Sequence, residues 1–253
     1  MVSRKPVALA PETARRGGRG GPPVVLLPGM MLDHRLYARQ VAVLARTSVV
    51  ITADITRSAT IAAIADDVLT DAPPRFALVG LSMGGIVALE IWRRARERVT
   101  HLALLDTTPY ADSHERRALR LEQIAAVETG QLREVLVDSL KPRYLARKNR
   151  GNRRLLRAIL EMALANGPEV FRRQSLALRD RVDSVATLST IDCPSLVLCG
   201  REDELCSVDF HATMAAAMPG ADLLVLAGCG HLSAMEEPAA VTGALRRLLR
   251  RAS

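Results

Sequence analysis

Aromatic residues are scarce in this chain: one Trp, three Tyr and three Phe make up 3% of 253 residues. That is too few for a platform on which nucleic-acid bases could stack. No nucleic-acid-binding motif occurs either, so the net charge of +8 does not by itself indicate DNA or RNA as a partner. Lysine is nearly missing. Only Lys5, Lys141 and Lys148 occur, and 32 of the 35 basic residues are Arg, a bias that a GC-rich genome produces as readily as a functional surface does. No apolar run approaches the roughly 18 residues of a membrane-spanning helix, although 49% of the chain is hydrophobic. The segment Met1 to Pro23 carries Arg15, Arg16 and Arg19 among Gly and Pro, without the continuous apolar stretch of a secretory signal. It reads as a loose basic tail on a cytoplasmic protein. The four cysteines (Cys193, Cys199, Cys206, Cys229) lack CxxC spacing, so reduced thiols are expected rather than a disulfide or zinc site, and neither metal nor cofactor is implied.

From Val24 onward, short apolar runs alternate with amphipathic stretches. Val24 to Leu27, Ser48 to Thr52, Phe76 to Val79, Leu102 to Leu105, Ser195 to Cys199 and Leu223 to Leu226 have the continuous apolar character of strands buried on both faces. Helical spacing falls between them, over Arg35 to Ala45, Thr60 to Leu69, Gly84 to Ala95, Val208 to Met218 and Pro238 to Arg250. The alternation predicts an α/β fold with a doubly wound, mostly parallel sheet and function at the carboxyl ends of its strands. One interval breaks the rhythm. Residues 109–191 carry helical pattern only (Glu115 to Glu128, Gln131 to Leu140, Arg153 to Ala165, Glu169 to Leu178), punctuated by Gly130, Pro142 and Gly167-Pro168. The expected organisation is a tail (1–23), a core (24–108 and 192–253) and an inserted helical lid (109–191).

The sharpest motif is Gly80-Leu81-Ser82-Met83-Gly84-Gly85, G-x-S-x-G between the strand-like Phe76 to Val79 and the helix-like Ile86 to Arg94. Glycines at those positions allow a tight, strained turn that lifts the serine oxygen clear of the sheet. The helix that follows aims unpaired N–H groups at any negative charge forming there. A nucleophilic serine needs a base, and the base needs a group that holds its tautomer. Of five histidines, His231 lies in the flexible Gly228-Cys229-Gly230-His231 loop after the last strand and is the candidate base. His34 follows the first strand and is a pocket candidate with Met31. His101, His114 and His211 read as surface residues at element edges. Asp203, directly after the strand ending at Cys199, is favoured as the acid, with Asp106 after Leu105 as its rival. An oxyanion needs two donors. The backbone N–H of Met83 is one, and that of Met30, behind Gly29, is the other; Pro28 has no N–H to give.

These motifs resemble the α/β-hydrolase superfamily over about Val24 to Arg250, through VVLLPGMMLDHRLY, VGLSMGG, LVLCGREDELC and AGCGHLSAMEEP. Within it the chain is most similar to small, lid-bearing bacterial esterases of the pimeloyl-carrier-protein methyl ester esterase type. The resemblance implies a cofactor-free serine hydrolase of a carboxylic ester or thioester, with Ser82, Asp203 and His231 as its triad and Met30 with Met83 as its oxyanion hole. Two departures stand out. Pro28-Gly29 replaces a frequent His-Gly, and only Val7 to Ala10 could supply a strand ahead of Val24. Perhydrolases, carbon–carbon hydrolases and lyases of the same triad remain open, as does a ligand-binding member without turnover. Lys141, Arg143, Arg147, Lys148, Arg150, Arg153, Arg154 and Arg157 crowd one part of the lid. The patch could dock an acidic acyl carrier protein or a coenzyme A thioester, or be a solvated helix face.

Overall fold

The computed structural model describes residues 20–140 and 144–252, with the side chains of residues 139 and 140 undescribed. The tail up to residue 19, the Val7 to Ala10 strand expectation, Lys141 and Arg143 lie outside the described residues. Among the described residues six strands form one parallel sheet: β1 (Val24–Leu27), β2 (Val50–Thr52), β3 (Phe76–Leu81), β4 (Val99–Leu105), β5 (Ser195–Gly200) and β6 (Ala221–Leu226), in the order β2-β1-β3-β4-β5-β6. β1, β3, β4 and β5 are buried at every residue, whereas the edge strands β2 and β6 are partly exposed. Continuous apolar sequence therefore marks the inner strands, which helices cover on both faces.

Alternation along each strand divides the core. Val25 and Leu27 of β1 join Leu78, Leu102, Leu104 and Val197 on one face, under α2 (Ile61–Asp71), α3 (Met83–Ala95) and α8 (Val208–Ala217). Val24 and Leu26 join Val79, Leu105 and Leu198 on the other, under α1 (Ala38–Leu44) and α10 (Pro238–Leu248). The helices start where their sequences say they should. Thr60 accepts from the Ala63 N–H, and Pro238, with no N–H to leave unpaired, opens α10.

Between β4 and β5 the described residues form helices only: α4 (His114–Glu128), the single turn α5 (Leu132–Glu134), a π-helical turn Val135–Leu140, a 3₁₀ turn Arg147–Asn149, α6 (Arg153–Arg179) and α7 (Val185–Leu188). They build a third core, in which Ile124, Leu136, Val170 and Phe171 close on Met31 from the loop after β1. The two helices expected over 153–165 and 169–178 abut as one run, kinked at Gly167 (φ 78°) ahead of Pro168. The helix expected over Gln131 to Leu140 tightens to one α turn and then widens into the π turn.

The sheet order places the site. The chain moves from β1 outward to β2, then returns to the far side of β1 with β3. At such a reversal the loops leaving the strands diverge and open a crevice at their carboxyl ends. The loops after β1 and β3 carry Met30 and Ser82. The sheet's centre should be intolerant of shortened side chains. Leu104→Ala, in fully buried β4 between β3 and β5, is expected to lower the unfolding free energy in urea by about 2–5 kcal/mol. A loss under about 1 kcal/mol would contradict this packing.

Candidate active site

Ser82 directly follows β3 with φ 54° and ψ −117°, in a region non-glycine residues avoid, and α3 begins at the next residue. A strained residue persists only where its surroundings hold it. Its N–H donates to the Leu105 carbonyl (2.9 Å), and its own carbonyl accepts from the Thr107 hydroxyl (2.7 Å) and the Gly85 N–H (2.9 Å). The flanking glycines are steric necessities. A methyl at Gly80 would lie 2.3 Å from the Gly84 carbonyl oxygen, and one at Gly84 would lie 2.2 Å from that of Leu27.

His231 Nε2 lies 2.9 Å from Ser82 Oγ, and its Nδ1 lies 2.8 Å from Asp203 Oδ2. The other Asp203 oxygen accepts from the N–H groups of Leu205 (2.8 Å) and Cys206 (2.9 Å), so the carboxylate cannot turn away. With Nδ1–H donating to Asp203, Nε2 is left free to accept the Ser82 proton. The histidine loop is held where it enters the site: the His231 N–H donates to the Tyr144 carbonyl (2.9 Å) and the Tyr144 ring lies 5.8 Å from the imidazole. Burial opposes a charge on His231, yet the Asp203 carboxylate outweighs it and raises the imidazole above its ordinary value.

Asp106, the rival acid, occupies a different place. It is fully buried with φ 46°, and its oxygens accept from the N–H groups of Gly200 (3.2 Å) and Ser233 (3.1 Å). It therefore ties the end of β4 to the end of β5 and to the histidine loop. Burial first, then the nearby Asp203 charge, push it up to about 8.

The loop after β1 presses on the serine: a methyl at Gly29 would stand 3.4 Å from Ser82 Cβ. The Met31 N–H is taken by Gln174 Oε1 (2.8 Å), whose amide also donates to the Ile55 carbonyl (3.2 Å). With the Met31 amide taken, Met30 stays the candidate donor of this loop, beside Met83 at the first position of α3, where helix geometry supplies no acceptor. Met30 and Met31 also line a small apolar hollow, about 10 Å³ in cavity volume, with Leu136, Tyr144, Ile159 and Leu160.

Three histidine readings need correction. His34 does not line this cavity; its side chain is 78% exposed, because the 3₁₀ turn His34–Tyr37 directs Leu36 and Tyr37 inward instead. His101 and His211 are buried rather than superficial. His101 Nδ1 meets the Thr100 hydroxyl and its Nε2 the Arg251 carbonyl. His211 Nε2 accepts from the Thr107 N–H (2.9 Å) and its Nδ1 donates to the Ser207 carbonyl (2.8 Å), which braces the turn behind Ser82. Gln174, Thr107 and Tyr144 carry no sequence signature of this kind. A glutamine in an amphipathic helix reads as solvent-facing, and only the fold shows what it reaches. Asp203, Cys206 and His231 place ligand-type atoms within 4.8 Å of one another. The carboxylate and imidazole already bond each other, and burial raises the Cys206 thiol well above its ordinary value, so the set does not suit a metal. All four cysteines are unpaired.

Residues 24–244 match the model of a family described as the alpha/beta hydrolase family. The chain is 26% identical over 233 residues to a pimeloyl-[acyl-carrier protein] methyl ester esterase of Vibrio campbellii, covering 86% of this chain and 90% of that one. A Klebsiella pneumoniae protein named for carbamate hydrolysis is 28% identical over 161 residues, which span 62% of this chain and 59% of that protein. Among solved structures, a thermophilic esterase from Thermogutta terrifontis superposes with a TM-score of 0.85 at 30% identity, covering 91% of this chain and 90% of that one.

Two measurements follow from the site's supports. Gln174→Leu strands the Met31 N–H and the Ile55 carbonyl. Stability is expected to drop by about 1–3 kcal/mol, with kcat for any ester falling more than KM changes, because the loop carrying Met30 is loosened. Unchanged kcat would mean Gln174 serves the fold alone. The raised Asp106 binds its proton more tightly folded than unfolded, so its contribution to stability is full below pH 4 and declines as pH rises towards 8. Unfolding of Asp106→Asn, measured from pH 4 to 8, should lack that decline; a slope equal to the wild type's would refute the shift.

Proposed function

The chain belongs to the alpha/beta hydrolase family, and from that premise we propose a serine hydrolase of carboxylic esters or thioesters that works through an acyl-enzyme. It acts on ester bonds. The observation that carries the finer reading is the unbroken hydrogen-bonded chain Ser82–His231–Asp203, at 2.9 and 2.8 Å, on a strained turn at the sheet's switch point.

The steps follow from that chain. His231 Nε2 takes the proton of Ser82 as Oγ bonds to the carbonyl carbon, and the carbonyl π electrons move onto oxygen. The Met30 and Met83 N–H groups hold the resulting oxyanion. Asp203 stabilises the imidazolium and keeps its Nε2–H directed at the leaving group. The carbon–oxygen (or carbon–sulfur) bond breaks, and His231 returns the proton to the departing alcohol or thiol. Water then repeats the sequence on the acyl-enzyme: His231 removes its proton, hydroxide adds, and Ser82 leaves with that proton. The apolar cavity beside Met30 receives the acyl chain, and the helices of residues 109–191 act as its lid.

A small-molecule ester or thioester is the substrate. Delivery on an acidic acyl carrier protein, or as a coenzyme A thioester, is a second and finer reading. Lys148, Arg150 and Arg157 are already paired with Glu237, Glu204 and Glu161. Among the described residues such docking would therefore rest on Arg147, Arg153 and Arg154, all exposed. No helix among the described residues is long and apolar enough to cross a membrane.

Hydrolysis of p-nitrophenyl butyrate tests the proposal. Ser82→Ala is expected to lose on the order of 10⁶-fold in kcat, and Asp203→Asn about 10⁴-fold. The base must be neutral to act, and His231 is raised above 6.5, so kcat/KM should fall as pH drops through a midpoint above 6.5. Ser82→Ala turning over within tenfold of the wild type would end this reading.

A further inference from the structure

The Asp112 carboxylate is completely buried and faces three guanidinium groups. Arg181 Nη1 lies 2.7 Å from Oδ1, Arg116 Nε lies 3.6 Å from the same oxygen, and Arg120 Nε bonds Oδ2. Arg116 and Arg120 share one face of α4 at i, i+4; Arg181 lies just beyond α6. Within this cluster one negative charge meets three positive ones, which leaves two in excess. A buried guanidinium is costly unless its donors are satisfied. Arg181 meets that requirement, since Nε donates to the Tyr110 carbonyl (2.9 Å) and Nη1 to that of Leu178 (3.0 Å). Arg120 does not. Its side chain is only 13% exposed, and beyond Asp112 its Nη1 points at Met30 Sδ, 3.9 Å away, a weak acceptor.

Met30 is the residue whose amide we assign to the oxyanion and whose side chain lines the acyl cavity. Arg120 therefore touches a residue that lines that cavity, through Nη1 at 3.9 Å from Met30 Sδ. The excess charge is felt in the site: Arg120 lowers the Tyr144 phenol against the rise that burial causes, and Arg116 opposes the proton on His231. A planar guanidinium with two free N–H groups matches a carboxylate in a bidentate fork. We propose that Arg120, backed by Arg116, is an anion subsite, and that the preferred substrate is an ester or thioester whose acyl chain carries a second, free carboxylate at its far end. A half-ester of a short dicarboxylic acid has that chemistry: apolar methylenes for the Met30–Leu160 wall and an anion for Arg120. This deepens the serine-hydrolase reading and rests on it.

Esters matched in carbon count separate the two ideas. Monomethyl succinate, glutarate and adipate are compared with methyl butanoate, pentanoate and hexanoate by pH-stat titration, reading the ratio of kcat/KM for each anionic and neutral pair. The wild type is expected to favour the anionic partner by about tenfold or more at one chain length, with the ratio shrinking as salt rises. Arg120→Gln should collapse the ratio about tenfold, and Arg120→Lys, which keeps the charge without the fork, should retain part of it. Arg116→Gln removes a half-exposed side chain, so it keeps the test readable if Arg120→Gln fails to fold; it should reduce the ratio about threefold. A wild-type ratio at or below one for every length, or a ratio untouched by both glutamine variants, overturns the subsite while leaving ester hydrolysis standing. Inertness towards all six esters, with Ser82 unlabelled by a fluorophosphonate, overturns the hydrolase reading and the subsite with it.

Discussion

Everything at the site depends on how closely the turn after β3 packs against the end of β1. The backbone of Gly84 lies so near the Leu27 carbonyl that any side chain would collide, and Gly80 is as tightly set against Gly84 itself. That contact forces Ser82 into its positive-φ conformation, which costs of order 1–3 kcal/mol and survives because Leu105, Thr107 and Gly85 bind its backbone on both sides. Release of the packing would let the serine relax into an ordinary helix cap, with its oxygen turned to the backbone. The same closeness brings the loop after β1 against the serine, with Gly29 facing Ser82 Cβ. A second tight approach mirrors the first: Gly200 and the carbonyls of Cys229 and Gly230 touch where β5 ends, which brings the histidine loop within reach of Asp203.

Two carboxylates lie beside one histidine in different surroundings. Asp203 has one oxygen fixed by two N–H groups and the other against the imidazole. Asp106 receives one N–H per oxygen, lies deeper, and feels Asp203 as a like charge. A carboxyl kept largely protonated joins the ends of β4 and β5 to the histidine loop without competing for the imidazolium.

The strands were legible because four of the six are buried on both faces and read as unbroken apolar runs. β4 begins three residues ahead of the Leu102 expected from sequence, since Thr100 and His101 interrupt the hydrophobic pattern although the fold buries both. β6 likewise starts at Ala221, because an edge strand tolerates Asp222. Ser82, Asp203 and His231 could be picked out because each follows a strand end, where a doubly wound sheet gathers its loops. Asp106 follows one too, and no spacing rule separates it from Asp203; only the side-chain directions do. His34 failed for a related reason, as a 3₁₀ turn rotates a residue differently from the α turn that its surroundings predict. Gln174 and Arg120 were illegible, because their partners lie 143 and 90 residues away and their helices look amphipathic without them.

The residues that sequence missed share an origin, and that has a consequence. Gln174, Tyr144 and Arg120 all come from the interval between β4 and β5, which contributes nothing to the Ser82–His231–Asp203 chain yet touches His231 and the loop after β1. The sheet can hold the reacting groups rigidly because its strand ends are fixed by backbone pairing, and a rigid site can be shared by many substrates. The interval holds the walls mostly through side chains: an amide on Met31, a ring on His231 and a guanidinium on Met30. One main-chain bond, from His231 to the Tyr144 carbonyl, stands beside them. Side-chain contacts can be exchanged without disturbing the sheet. Five of the eight residues that line the apolar hollow come from that interval and three from the loop after β1. Substitutions within residues 109–191 should therefore alter substrate preference before they disturb the Ser82–His231–Asp203 geometry.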